Sequence, residues 1–452
     1  MKINQLILSL VVFLISSLQF SPLKAEKLQD SVKRPHIIFI YADDWAWAGL
    51  SSHGSTWLKT PNLDRLVKEG SDFGRFNVVN PVCSPSRAAL LTGHYPARYS
   101  IHEHFAGHEN SAPRGMPDWL DPEAPTLPRM LKASGYATAH YGKWHLINKG
   151  LAVAPSVGQY GYDDHAGWNG IKPEANFTEI FDKTLDFIQK AENEGKPAFV
   201  NLWIHEAHTP HVPSNEAMEA FGSLTEQQRV FAAVVKDGDD GVGKILAGLD
   251  RMGLTENTII FFSSDNGPER TGSDKKMEGG LGTYYSVGET GGLKGRKRSL
   301  YEGGIRVPFI VRWPGKVPVN YKDNTSEITA VDILPTICHI AGAKIPENYN
   351  GDGEDKLSVI LGKPSEHLKP IFWEWRGNAS AANWPRMAIN DGDWKMLIDK
   401  ENRVELYNLK TDNKEQKDLS LKHPEIVSKL REKLAQWKAT LPTQPDPKCI
   451  SQ

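Results

Sequence analysis

Cysteine is scarce in this chain: Cys83, Cys338 and Cys449 are the three in 452 residues. They form no zinc-spaced pattern with histidine, and an odd number cannot all be paired. An excess of one charge is missing too. The formal net charge is -2, so nothing draws the whole molecule to nucleic acid or a membrane surface, and any anion recognition must be local. Internal repeats and low-complexity tracts are absent. Composition is that of an ordinary globular protein, 39% hydrophobic and 24% charged, with ample material for a large core. At about 100–200 residues per domain the length predicts two or three structural units.

The longest apolar run lies at the very start. Lys2 precedes Leu6 to Leu18, and Ala25 can stand just before a cleavage point. The run is shorter than the roughly 20 residues a membrane helix needs. Residues 1–25 therefore read as a signal peptide, with a retained anchor as the alternative, and the mature chain as secreted or periplasmic without a membrane span. In an oxidising compartment the odd thiol count reserves one cysteine for something other than pairing. Cys338 sits in the apolar run Thr336–Ala341, and a Cys338–Cys449 disulfide is left open. Cys83 stands apart, in a turn rich in Pro and Ser.

Four short apolar runs are each followed at once by chemically capable residues. His36–Tyr41 leads into Asp43 and Asp44; Ala137–Tyr141 into Lys143 and His145; Phe199–Ile204 into His205 and His208; Thr258–Phe262 into Asp265 and Asn266. Unbroken apolar runs of this kind predict strands buried on both faces, as in parallel sheets. Helical patterns lie between them, over 61–68, 126–132 and from 181. The fold class is therefore α/β: a large, mostly parallel sheet sandwiched by helices, with ligands expected outside the carboxyl ends of the strands. From about Lys369 the runs Ile371–Trp375, Arg386–Ile389, Trp394–Ile398 and Val404–Leu409 predict a smaller antiparallel sheet, closed by a helix over 424–437. The expected division is 26–368 for the catalytic domain and 369–452 for the C-terminal subdomain.

Asp43, Asp44, Asp265 and Asn266 are hard oxygen donors, suited to Ca²⁺, with Mg²⁺ as the alternative. A divalent cation would explain three acids in one pocket, whose repulsion would otherwise raise at least one pKa. Arg87, Lys143, His145, His208 and one lysine of 294–298 form a cationic set suited to a tetrahedral oxyanion.

Cys83-Ser84-Pro85-Ser86-Arg87, followed by Leu91-Thr92-Gly93, resembles the signature of the type I sulfatases, within the alkaline-phosphatase-like superfamily. Asp43-Asp44, Gly142-Lys143-Trp144-His145, His208-Thr209-Pro210, Asp265-Asn266-Gly267 and Tyr301-Glu302-Gly303-Gly304 match in the family's order. The resemblance implies that Cys83 is oxidised to formylglycine by a formylglycine-generating or anaerobic sulfatase-maturating enzyme. The hydrated aldehyde then attacks sulfur, and its second hydroxyl lets the sulfated intermediate collapse. It also implies that Asp43, Asp44, Asp265, Asn266 and modified Cys83 hold calcium. Arg87 holds the nucleophile, His145 assists the collapse, and Lys143, His208 and Lys297 bind sulfate or protonate the leaving oxygen. His211-Val212-Pro213 is a second His-x-Pro, and Lys294 and Arg296 are alternatives to Lys297. His94, after Leu-Thr-Gly, departs from the Lys or Arg frequent in the family.

The stretch His102–His108 is similar to bacterial sulfatases that act on carbohydrates. His104, Trp168, Trp375 and Arg376 are the expected sugar-binding residues, with core packing as the competing role of the tryptophans. The expected activity is exo-acting release of sulfate from a sulfated saccharide, such as a galactose or N-acetylgalactosamine sulfate of algal or host glycans. Rival readings are a phosphodiesterase or phosphonate monoester hydrolase on the same scaffold, and a non-catalytic glycan-binding relative.

Overall fold

Eight strands form the large sheet of the computed structural model, which describes residues 33–169, 178–270, 286–377, 385–399 and 401–451. The expected signal peptide, 1–25, lies outside the described residues. In chain order the strands are β1 (His36–Ala42), β2 (Ser71–Phe73), β3 (Ala137–Lys143), β4 (Asp164–Trp168), β5 (Ala198–Trp203), β6 (Thr258–Ser264), β7 (Phe309–Arg312) and β8 (Tyr321–Asp323). Their order across the sheet is β4-β3-β5-β1-β6-β7-β2-β8. Every pairing is parallel except those of β7 with β6 and β2, so β7 alone of the eight runs backwards.

The apolar runs are unbroken because both faces of the sheet are covered. Along β1, Ile37, Phe39 and Tyr41 enter one hydrophobic core while Ile38, Ile40 and Ala42 enter another. The first core receives α1 (Cys83–Thr92), α2 (Leu127–Ala133) and α3 (Ile333–Ala341). The second receives the helices Pro61–Glu69, Glu179–Asn193 and Glu226–Met252. Burying each large side chain stabilises by about 1.5–3 kcal/mol, which fixes the strand ends on which the site is built.

A second sheet is antiparallel, in the order β9 (Ile371–Glu374), β10 (Met387–Asp391), β11 (Trp394–Ile398), β12 (Val404–Asn408). The helix Pro424–Ala439 covers it. Trp373, Ile389, Leu397 and Leu406 lie in the same buried cluster as Phe39 and Leu91, so this sheet closes the first core rather than standing on a tether. Cys338 and Cys449 are both buried free thiols, and Cys338 Sγ packs 3.9 Å from Met130 Sδ. The disulfide left open by the sequence is not formed.

Candidate active site

The parallel strands β1, β3, β5 and β6 end on one edge, and each delivers its polar residues there. Gly142, at the end of β3, has φ 109°, and a Cβ there would lie 2.0 Å from the Trp203 carbonyl oxygen. A glycine is required for the strand to pass so close to β5 before ending on Lys143. Cys83 is the first residue of α1 rather than part of a free turn, with Val82 as its N-cap. All ten residues of this helix are buried, so residue 83 and Arg87 are rigidly placed.

Ligand atoms of Asp43, Asp44 and Asp265 lie within 4.8 Å of one another, all three residues fully enclosed. Asn266 donates through Nδ2 to Asp44 Oδ1 at 2.6 Å. Arg87 donates to Asp265 Oδ2 through Nη2 at 2.7 Å and Nε at 3.0 Å, and through Nη1 to the Lys143 carbonyl at 2.9 Å. Lys143 Nζ bonds Asp43 Oδ2, and Lys297 Nζ bonds Asp44 Oδ2 at 2.7 Å. Three carboxylates thus face three cations, so each buried charge has an opposite charge beside it.

Burial is the largest influence on each acid, yet the three respond differently. Asp43 is nevertheless held well below the usual carboxylate range by His208, Lys143, Arg87 and His205. Burial raises Asp44, and raises Asp265 to about 7, where the Asp43 charge adds to it. Burial thus opposes ionisation of Asp44 and Asp265, and a further positive charge beside them would offset it. Asp43 Oδ1 and Asn266 Oδ1 are buried oxygens with no donor among the described residues. Two orphaned acceptors and three crowded carboxylates fit a hard divalent cation.

Residue 83 has a different neighbour. Cys83 Sγ lies 3.2 Å from His145 Nδ1. His145 Nε2 is 2.8 Å from the Phe105 carbonyl, which can only accept, so Nε2 carries the hydrogen. Burial keeps His145 neutral by holding its pKa well below the ordinary value. Its Nδ1 is therefore a free acceptor pointed at residue 83. Ser84 Oγ in turn accepts from Phe105 N at 3.0 Å, tying that segment to the helix that carries residue 83. Burial pushes the Cys83 thiol up to about 11, so the cysteine as encoded is protonated and a weak nucleophile at neutral pH.

The alternatives left by the sequence separate spatially. Lys294 Nζ turns to Glu405 Oε2 at 3.1 Å and Tyr407 Oη at 2.7 Å, leaving Lys297 on the acidic cluster. His211 is buried against Phe231, while His208 Nε2 lies 3.8 Å from Asp44 Oδ2. His205, which the sequence pattern ranked behind His208, also reaches the cluster: its Nδ1 is 3.8 Å from Asp43 Oδ2. Its signal was its position, two residues past the end of β5. Glu269 was missed altogether; it pairs with Arg298 beside Lys297.

The sugar-binding candidates fare unevenly. His104 is part-exposed, with its ring 6.2 Å from that of His145 and its Nδ1 2.7 Å from Glu103 Oε1. Arg376 is also part-exposed, beside Glu374. Trp168 is half-buried, paired in register with Lys143 across β3 and β4. Trp375 is fully enclosed, with Gly377 against its ring, and offers no face to a saccharide. Packing is its role, which corrects the expectation.

The sulfatase family profile matches residues 35–343, more than half of the chain and all of the cluster just described. The chain belongs to the sulfatase family. A second profile, that of the N-sulphoglucosamine sulphohydrolase C-terminal region, matches residues 288–440. The chain is 31% identical over 399 residues to an N-acetylgalactosamine-6-sulfatase of Rattus norvegicus, covering 80% of this chain and 71% of that one. It is 27% identical over 523 residues to a sulfatase of Formosa agariphila, covering 93% and 92%. Among solved structures it resembles Ps i-CgsB in complex with k-i-k-neocarrahexaose, with a TM-score of 0.77, 25% identity, and coverage of 92% and 96%. This sulfatase thus shares its fold, including the small C-terminal sheet, with a carbohydrate-bound relative.

Proposed function

We propose that this sulfatase releases inorganic sulfate from sulfate esters of carbohydrates, using formylglycine made from Cys83 and a calcium ion. The observation that carries the reading is the juxtaposition at residue 83. A helix N-terminus presents it to His145 Nδ1, beside three crowded carboxylates and three cations. The buried, protonated thiol supports modification, because a cysteine in that environment gains little thiolate.

Asp43, Asp44, Asp265 and Asn266, with residue 83, would hold the cation, which supplies positive charge to polarise an oxygen ligand. The hydrated aldehyde supplies an oxygen nucleophile that, unlike a serine sulfate, can shed the group it accepts. Arg87, braced by Asp265 and the Lys143 carbonyl, holds residue 83 from the second turn of the helix. His145 Nδ1 takes the proton from residue 83, its tautomer set by the Phe105 carbonyl. Lys143, His208 and Lys297 bind the ester's anionic oxygens and offer a proton to the leaving oxygen. Export through residues 1–25 and maturation by a formylglycine-forming enzyme complete the reading; no helix among the described residues is long and apolar enough to cross a membrane.

Coexpression with a maturation enzyme, followed by comparison of an aryl sulfate with an aryl phosphodiester, tests the proposal. Faster sulfate hydrolysis, and a Cys83 peptide with the mass of the aldehyde, are expected. A large preference for the phosphodiester would overturn it.

A further inference from the structure

A cleft of about 930 Å³ opens between the catalytic body and the small sheet, and it contains none of the residues of the acidic cluster. Its volume is at the upper end of the range for ligand sites, about 300–1,000 Å³. The floor is buried Leu293, Arg306, Glu327 and Leu409, while the rim is exposed Asn324, Thr325, Lys410, Asn413 and Lys414. Trp47 forms one wall and is held rigidly. Its ring stacks on His53 at 4.5 Å, His53 Nδ1 lies 2.7 Å from the Trp47 carbonyl, and His53 Nε2 is 2.9 Å from Asp72.

The lining combines an indole, four basic side chains (Arg75, Arg306, Lys410 and Lys414), the His367 imidazole and several amides and hydroxyls; Arg306 is paired with Glu302 below the floor. An indole suits the apolar face of a sugar ring, amides and hydroxyls suit its hydroxyl groups, and rim cations suit its sulfates. Asp393 and Glu366 also line the cleft, and Lys410 Nζ is 3.5 Å from Asp393, so the site is not a simple anion trap. Mixed charge with one aromatic wall favours a saccharide carrying occasional sulfates over a free anion. By chain the cleft adjoins the catalytic centre: Trp47 follows Asp44 by three residues, and Leu293 precedes Lys297 by four.

We propose that this cleft is a second, non-catalytic binding site for a sulfated oligosaccharide, which holds polymeric substrate while sulfate is removed elsewhere. The proposal rests on the carbohydrate sulfatase reading. Its ligand is the distal part of a chain, several rings long, rather than the ester that reacts.

The test uses the whole mature protein and three probes: hexasaccharides of chondroitin 6-sulfate, heparan sulfate and iota-carrageenan. Binding is measured by calorimetry on the Cys83→Ser protein and on the same protein carrying Lys410→Glu and Lys414→Glu. At least one probe is expected to bind, and the double charge reversal to weaken it about tenfold. In the matured Cys83 protein the same reversals should leave aryl sulfate hydrolysis unchanged. Absence of binding by all three probes, or equal affinity of the charge-reversed protein, overturns the proposal. Equal binding of a desulfated hexasaccharide overturns the sulfated class. Loss of aryl sulfate hydrolysis in the unreversed matured protein would instead sink the reading on which this one rests.

Discussion

The floor of the active site and its rim are built on opposite principles. On the floor Asp43, Asp265 and Arg87 are 0% exposed, each touching an opposite charge. On the rim the side chains of His104 and Arg298 are 38% and 42% exposed, and each leans on one acid, Glu103 and Glu269. A buried charge that loses its partner is left without water, whereas a rim charge is rehydrated. The difference assigns the work: the floor can fix the geometry of sulfate chemistry, while the rim can change from one substrate to another at little cost.

The largest effect should come from the floor. Cys83→Ala removes the group presented to His145 Nδ1, and kcat for aryl sulfate should fall on the order of 10⁴-fold or more. A residual rate close to the parent's would mean that some other residue is the nucleophile, and that the floor is not where the reaction occurs.

A remote buried cluster gives the next test. Lys395 Nζ lies 2.8 Å from Glu302 and 2.9 Å from Glu415, with all three side chains enclosed. Lys395→Met leaves two buried acids without their shared cation and should cost about 3–5 kcal/mol, read as a lower urea midpoint. If the loss is under 1 kcal/mol, burial is not what distinguishes floor from rim. Asp265→Asn should be comparable in free energy but appear in kcat rather than stability, falling about 10²–10³-fold, because it weakens both the proposed cation ligand and the brace of Arg87.

The floor was legible in the sequence for the same reason that it is rigid. Its aspartates and Lys143 follow apolar runs that read as doubly buried strands, and parallel strands bring their carboxyl ends to one edge, while Cys83 and Arg87 were legible from the sulfatase-like signature. The rim follows no period. Whether Lys294 or Lys297 enters the site depends on which lysine the small sheet captures. Glu405 and Tyr407 take Lys294, whose Nζ also lies 4.0 Å from the centre of the Tyr301 ring. The longest described helix, Glu226–Met252, was equally hidden. Gly238, Gly241 and Gly248 lower its intrinsic propensity, but they are there because Trp45, Phe181 and Leu185 leave no room for a Cβ. Trp375 misled because an aromatic beside an arginine reads alike whether it faces sugar or core.

That capture of Lys294 makes a fourth, milder test. Glu405→Gln leaves Lys294 without its ionic partner and loosens the segment that carries Lys297. A fall of about tenfold in kcat/KM is expected, with most of it in kcat, since Lys297 bonds Asp44 inside the acidic cluster. Glu405→Asp should recover part of the loss, and a pure stability defect would show no such split.

The smallest effect belongs to the rim, and it is the one that decides whether the division of labour holds. His104→Ala removes a part-exposed ring beside His145 and leaves buried Glu103 with the backbone N–H of residue 104 but without the imidazole. Stability should fall by about 1 kcal/mol, because a buried acceptor loses one of its two partners. Hydrolysis of a small aryl sulfate, which has no sugar to reach the rim, should stay within about twofold. Hydrolysis of a sulfated disaccharide should fall about tenfold in kcat/KM, chiefly through KM, if His104 meets a hydroxyl of the ring. Equal losses on both substrates would place His104 on the floor, as a support for His145, and the boundary between chemistry and recognition would then run outside it.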